Sequence, residues 1–188
     1  MPAPSETFVS VDVEASGPHP ERYSLLSIGA CLVDDPSRGF YVEIKPTRPH
    51  VLRSALQTGQ LSMERLSREG IAPALAMQQL ADWLPLIAPP GQRPIMVAFN
   101  APYDWAFMNH YCLEYLGENP FGRSAIDIKA FYMGLTGSPW EETSLLYLSP
   151  RFLRGRKLPQ DALANARLQA DLFRKLLAQS RGERVPAA

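Results

Sequence analysis

The chain has 188 residues, of which 46% are hydrophobic, and its 19 basic and 19 acidic side chains cancel to a formal net charge of +0. This length is sufficient for one domain with a hydrophobic core and would be short for two. The charge balance excludes a chain-wide attraction to polyanions or membrane surfaces, so a nucleic-acid site has to be built locally.

Two cysteines and an unremarkable N-terminus predict a reducing, aqueous environment. Cys31 and Cys112 are too few and too far apart for a disulfide framework or a zinc motif, and their apolar surroundings predict buried free thiols. The opening stretch "MPAPSETFVSVDVE" lacks the basic start and apolar core of a signal peptide, and no apolar run reaches membrane-spanning length. We therefore expect a cytoplasmic protein with no membrane partner.

The first third of the chain predicts three antiparallel strands. Residues 7–14 alternate between two faces at the strand period, and residues 24–33 and 39–45 form two further strand-like runs. The intervening "DDPSR" has the composition of a turn between antiparallel neighbours. These three runs together predict a three-stranded antiparallel meander.

The remaining chain alternates helix and strand. Residues 73–87 have helical spacing with Pro73 in the first turn, and "PIMVAFN" is a strand followed by a helix that Gly117 closes. "SAIDIKAFY" predicts a short strand running into a helix. The last helix, in "PQDALANARLQADLF", carries an apolar stripe made by Ala162, Ala166, Ala170 and Phe173.

These elements together predict an α/β fold, in which a mixed sheet is flanked by helices. We expect one domain over residues 1–180, followed by a flexible tail at 181–188.

Three polar groups stand at the ends of predicted elements. Asp12 and Glu14 lie two residues apart on a strand, so both carboxylates project from one face; the alternative is an ordinary solvated strand end. Asp104 follows an apolar strand at the start of a helix, where the helix dipole alone would favour it. Asn165 lies one turn beyond Asp161 on the same side of the last helix.

The three stretches "VDVEASG", "FNAPYDWAF" and "QDALANA", in this order and at these separations, resemble the motifs of the DEDD superfamily of 3′-5′ exonucleases. This group includes ribonuclease T, oligoribonuclease and the proofreading subunit of bacterial DNA polymerase III. The resemblance covers residues 8 to about 177. It implies a ribonuclease H-like fold, with the same mixed sheet and flanking helices that the hydrophobic periodicity predicts independently.

The resemblance also implies a metal site. Enzymes of this superfamily hold two divalent cations, Mg²⁺ or Mn²⁺, between four acidic side chains and the scissile phosphate, and two such ions can activate water and stabilise the leaving oxygen. Hard oxygen ligands suit these cations. Carried over by position, the metal-binding and catalytic residues are Asp12, Glu14, Asp104 and Asn165.

The third motif departs from the superfamily at two positions. One branch has a His five residues before the last Asp and another has a Tyr four before it, whereas Gln160 and Asp161 stand here. A Gln amide cannot act as a base, and Asn165 removes one negative charge from a cation site. The chain is therefore a natural homologue with reduced or lost activity, a deliberately altered form, or an enzyme that works slowly without a side-chain base.

Residues for substrate binding are assigned around these motifs. Gly17 and Ser16 lie in the loop after the first motif, where Gly17 permits close approach of a ligand but also suits a turn. Asn100 and Tyr103 flank Asp104, and aromatic rings there can stack on single-stranded bases, although most belong to the core. Basic residues in the loop before the third motif are placed to bind a phosphate backbone, although such a run is also typical of a solvated surface: Arg154 and Arg156, with Arg151 and Lys157.

Two functional hypotheses follow. The first is a metal-dependent 3′-5′ exonuclease that acts on single-stranded or short RNA or DNA 3′ ends, with an impaired third motif. The second is a nucleic-acid-binding or scaffold protein that keeps the fold and no longer cuts. The resemblance to ribonuclease T further implies a homodimer.

Overall fold

The computed structural model describes residues 6–52, 61–157, 159 and 161–182. A five-stranded sheet with the order β3-β2-β1-β4-β5 forms its centre. The strands are β1 (Phe8–Ala15), β2 (Leu25–Leu32), β3 (Gly39–Glu43), β4 (Ile95–Ala98) and β5 (Ala125–Asp127). β1, β2 and β3 pair antiparallel, while β4 and β5 run parallel to β1. The predicted mixed sheet with its antiparallel meander is confirmed.

Helices cover both faces of the sheet. The helices are α1 (Met63–Glu69), α2 (Pro73–Ile87), α3 (Ala101–Leu116), α4 (Ile128–Thr136), α5 (Leu145–Phe152) and α6 (Ala162–Ser180), with a short 3-10 helix at Trp140–Thr143. α2 and α3 pack with the strands into one hydrophobic cluster, and α6 packs with α4 and α5 into a second. The predicted stripe of α6 is buried, as are both free cysteines.

Helix boundaries follow the local signals in the sequence. α2 begins at Pro73, where a missing N–H costs nothing, and α3 ends before Gly117, whose φ of 79° closes the helix. α1 and α5 are not anticipated from the sequence, and Arg151 lies in the last turn of α5 instead of in the predicted loop. α5 contains Pro150, which the sequence alone favours as a loop residue. None of the helices described is both long and apolar enough to cross a membrane.

One glycine sets how closely α6 approaches the sheet. Gly29 on β2 is the pairing partner of Asp12, and a Cβ there would lie 2.1 Å from the backbone carbon of Ala162 and 2.1 Å from the nitrogen of Leu163. Because only a residue without a side chain avoids this overlap, Gly29 allows the first turn of α6 to rest directly on β2. That contact brings the third motif next to the first.

We expect Gly29→Ala to lower the free energy of unfolding by about 1–3 kcal/mol, because the first turn of α6 has to move away from the sheet. Urea unfolding followed by circular dichroism measures the loss. Gly134→Ala on α4 is the matched control, since its added methyl group meets nothing within 4 Å; it should raise stability by about 0.5–1 kcal/mol. Equal effects of the two changes would contradict the close-approach role of Gly29.

Candidate active site

The first two motifs meet at the C-terminal end of the parallel strands. Asp12 and Glu14 are partly buried on one face of β1. Asp104 lies in the first turn of α3 with 4% of its surface exposed, and its Oδ1 accepts a hydrogen bond from the N–H of Val13 at 2.9 Å. The carboxyl group of Asp104 is thereby fixed against the backbone between the other two acids.

A tight turn positions α3 and its carboxylate. Asn100 has left-handed backbone angles (φ 67°, ψ 47°), which place the helix start directly after β4. Oδ1 of Asp127 accepts hydrogen bonds from the N–H groups of Asn100 (3.0 Å), Ala101 (3.2 Å) and Lys129 (3.3 Å). Asp127 therefore caps α4 and holds the start of α3. The sequence feature that indicates this capping role is an Asp at the strand-to-helix junction in "SAIDIKAFY". Asp127 is not among the site residues predicted from the sequence.

The third motif reaches Asp12 through two amides. Nδ2 of Asn165 donates to Oδ2 of Asp12 at 3.1 Å, and Nε2 of Gln169, one turn further along α6, donates to Oδ1 at 2.6 Å. Oε1 of Gln169 accepts the N–H of Phe99 at 3.0 Å. Gln169 is missing from the residues that the sequence singles out, because its spacing matches no motif of the superfamily.

The acids of this cluster disfavour one another's ionisation. Burial raises the pKa of Asp12, and the charge of Glu14 raises it further against the hydrogen bonds from Asn165 and Gln169. Burial also raises the pKa of Asp104 well above its usual range, and Asp12 adds to this. The pKa of Glu14 is raised by burial and by Asp161. Negative charge is costly in such a place, and a cation among the carboxylates would relieve the cost.

The donor atoms suit a hard divalent cation, although they do not converge on one point. Oδ1 of Asn165 is buried and has no hydrogen-bond partner among the described residues, so it is a neutral oxygen available to a ligand. Within residues 6–52, 61–157, 159 and 161–182, no three His, Cys, Asp or Glu side chains are arranged to hold a metal ion. Both oxygens of Asp12 accept hydrogen bonds from side-chain amides, and Oδ1 of Asp104 accepts one from the backbone.

The loop after the first motif is held mainly by internal contacts. The Ser16 hydroxyl donates to the carbonyl of His50 at 2.8 Å and accepts from the N–H of Ser24 at 2.9 Å, and Ser16 is fully buried. The geometry therefore gives Ser16 a structural role, and its predicted contact with substrate stays a prediction. A Cβ at Gly17 would overlap the ring of Tyr23, so packing alone requires this glycine.

Tyr103 connects the second motif to this loop. Its hydroxyl donates to the carbonyl of Gly17 at 3.3 Å, and its ring lies 5.4 Å from that of Phe107. Burial and the neighbouring charge of Asp104 raise its pKa. Asn100 is exposed at the same end of α3, where its side chain faces solvent. Roles for Asn100 and Tyr103 in substrate binding stay predictions.

The two basic residues assigned to substrate differ in their surroundings. Arg154 is exposed, with a left-handed φ of 57°. The guanidinium of Arg156 is paired with Asp171 on α6, and its Nε donates to the carbonyl of Leu153 at 3.0 Å. In this geometry Arg156 connects the loop to α6, and its predicted role in phosphate binding stays a prediction.

The predicted base position, Gln160, lies outside the described residues, but the start of the helix that follows it is defined. Asp161 caps α6, with Oδ1 accepting the N–H of Ala164 at 2.7 Å. Asn165 follows one turn later, and its backbone N–H bonds to the carbonyl of Asp161 at 2.9 Å. Asp161 therefore has a capping role at the position where one branch of the superfamily has a Tyr.

The chain is similar to characterised nucleases over nearly its whole length. It is 41% identical over 174 residues to the 3′-5′ DNA exonuclease Cap18 of Escherichia coli, with 93% of each chain covered. Among solved structures, the nuclease domain of 3′hExo, a DEDDh family member bound to rAMP, has a TM-score of 0.75 at 14% identity, covering 99% of this chain and 98% of that one.

A second solved structure is similar over part of its length. E. coli Exonuclease I in complex with a dA16 oligonucleotide has a TM-score of 0.67 at 16% identity, covering 93% of this chain and 41% of that one. No family model matches the chain.

The chain belongs to the DEDD superfamily of 3′-5′ exonucleases, and the fold is the ribonuclease H-like fold of its relatives. The resemblance and the fold class predicted from the sequence are both confirmed.

Asp171 should make the stability of α6 depend on pH. Burial raises its pKa, but hydrogen bonds from Lys175 and Arg156 outweigh burial and hold the pKa below its usual range. A carboxyl group with a lowered folded pKa stabilises the fold above the pKa of the unfolded chain, about 3.9, and loses that effect as pH falls through the folded value.

We therefore expect Asp171→Asn to cost about 1 kcal/mol of unfolding free energy at neutral pH. The difference from wild type should shrink as pH falls through the lowered pKa, as measured by urea unfolding across the acidic range. Asp34→Asn, at an exposed position between β2 and β3, is the control. A pH-independent difference for Asp171→Asn would argue against the ion pairs.

Proposed function

We propose that this protein is a metal-dependent 3′-5′ exonuclease that removes nucleotides from single-stranded or short DNA ends, with activity reduced by its third motif. The observation that carries the proposal is the meeting of Asp12, Glu14 and Asp104 beside Asn165, whose Oδ1 lacks a partner among the described residues. The E. coli relative is named as a DNA exonuclease, which supports DNA as the substrate. The predicted homodimer and cytoplasmic location stay predictions.

The chain's own residues would act mainly by binding the cations and by fixing the orientation of the ligands. Asp12, Glu14 and Asp104 would provide carboxylate oxygens for Mg²⁺ or Mn²⁺, and Asn165 a neutral amide oxygen. Such cations, when bound, polarise the scissile phosphate and balance charge on the leaving oxygen. The backbone bond from Val13 to Asp104 orients that carboxylate beforehand, so less ordering is needed on binding.

The third motif limits this activity in two ways. Asn165 is neutral, and its N–H bond to Oδ2 of Asp12 competes with a cation for the same oxygen. Gln160, at the position of a superfamily base, cannot accept a proton from water. A slow exonuclease is the consequence.

The second candidate is a protein that binds 3′ ends without cutting them. It is favoured by one observation: both oxygens of Asp12 already accept hydrogen bonds from the amides of Asn165 and Gln169, so neither oxygen is left without a partner when no ion is bound. The two candidates differ in whether hydrolysis occurs at all.

The double change Gln160→His and Asn165→Asp should raise the rate of 3′-end shortening by about 100-fold or more, because it supplies a base and a charged ligand. The assay follows 5′-labelled single-stranded DNA and RNA oligonucleotides with Mg²⁺ or Mn²⁺. Adding Asp104→Asn to the double variant is the control and should abolish the gain. Oligonucleotides that stay intact with wild type and double variant alike would refute the exonuclease proposal.

Asn165→Asp alone should tighten Mn²⁺ binding, since affinity at oxygen-ligand sites rises with the charge of the ligands. Isothermal titration calorimetry measures this without any nucleic acid. Gln179→Glu adds the same charge near the exposed end of α6 and is the matched control. A similar gain from both variants would mean that general electrostatics, and no defined site, attracts the ion.

A further inference from the structure

Gln169 is a buried polar residue in an apolar helix face. Only 3% of its surface is exposed, and its neighbours on α6 include the buried Ala166, Ala170 and Phe173. Burying a Gln side chain costs desolvation and side-chain entropy unless both ends of the amide are satisfied. Both ends are satisfied here, by one group from each of the first two motifs.

The chemistry of the partners fixes the orientation of this amide. The backbone N–H of Phe99 can only donate, so the atom of Gln169 that faces it at 3.0 Å has to be the oxygen. The nitrogen therefore faces Oδ1 of Asp12 at 2.6 Å and donates to it. A flipped amide would place a donor against a donor, which excludes the alternative assignment.

This orientation gives the two oxygens of Asp12 different roles. Oδ1 is held by an amide whose other end is anchored to the backbone after β4, so it cannot move without breaking two hydrogen bonds. Oδ2 is held only by Asn165, whose side chain has no second partner among the described residues. Oδ2 is thus the oxygen that can exchange a hydrogen bond for a cation.

Gln169 also relates the first motif to the second. Phe99 immediately precedes Asn100, the left-handed residue that starts the helix carrying Asp104. A single side chain on α6 therefore bonds to β1 and to the turn that places Asp104.

We propose that Gln169 is a positioning residue that holds the Asp12 carboxylate in the orientation needed for cation binding through Oδ2. This inference rests on the proposed function, because it concerns the same metal site. Residues that orient a metal ligand in this way change metal affinity by about 10–100-fold when they are removed.

The test compares wild type with Gln169→Met, which keeps the length of the side chain and removes both hydrogen bonds. Mn²⁺ affinity is measured by calorimetry, and Tm is recorded with and without Mn²⁺ because a ligand raises Tm according to its affinity for the folded state. We expect the affinity to fall about 10–100-fold and the Mn²⁺-induced rise in Tm to shrink. Gln169→Leu is the second variant if methionine does not fit.

The controls separate positioning from simple stabilisation. Gln179→Met, near the exposed end of the same helix, should leave both the affinity and the Mn²⁺-induced rise unchanged. If Gln169→Met lowers Tm equally with and without Mn²⁺ and the affinity is unchanged, Gln169 only satisfies buried groups and the inference is overturned. If wild type itself takes up no Mn²⁺, the proposed function fails and this inference fails with it.

Discussion

A carboxylate buried on the central strand of a sheet requires a partner for each of its oxygens, and Asp12 receives both partners from one helix. Asn165 and Gln169 are one turn apart on α6, and their amides reach the two oxygens of Asp12 from the same side. This arrangement is geometrically possible only because Gly29, the pairing partner of Asp12, lets the backbone of α6 rest on β2. The close packing of α6 on β2 thus also supplies the hydrogen bonds that stabilise the Asp12 carboxylate.

The same interaction explains how the third motif can lose its charge and the fold can remain stable. An Asp at position 165 would put a fourth carboxylate beside Asp12, Glu14 and Asp104, whose pKa values burial already raises. Without a cation, such a cluster has to retain protons or repel itself. The neutral amide of Asn165 replaces this repulsion by a hydrogen bond, at the expense of a ligand. Stability of the ion-free protein and affinity for the ion are therefore set against each other at a single position.

Sequence patterns predicted the parts of the molecule that depend on local chemistry. The alternation of residues 7–14 predicts β1, in which Asp12 and Glu14 are partly buried and their neighbours in the chain are buried. Pro73 and Gly117 mark helix ends, as their local chemistry predicts. The packing of Ser16 and Gly17 could not be predicted from local sequence patterns. Their contacts are made with His50 and Tyr23, which lie further along the chain and pack against the loop.

Gln169 shows the same limit inside the site. Its spacing along α6 is that of an ordinary core position, where an apolar residue would be expected. Its partners lie 157 and 70 residues away in the chain, so no local window contains the reason for a polar side chain there. Only the three-dimensional arrangement reveals that it bonds to a metal-ligand candidate and to the backbone before Asp104.

The long separation between Gln169 and Asp12 has a consequence for synthesis of the protein. Asp12 leaves the ribosome first, and the helix that bonds to it follows more than 150 residues later. Until α6 docks, Asp12 lacks the hydrogen bonds from Asn165 and Gln169, and the sheet lacks the helix that covers part of one face. A growing chain therefore cannot carry a completed site, so any hydrolytic capacity of this fold appears only after the last helix has docked.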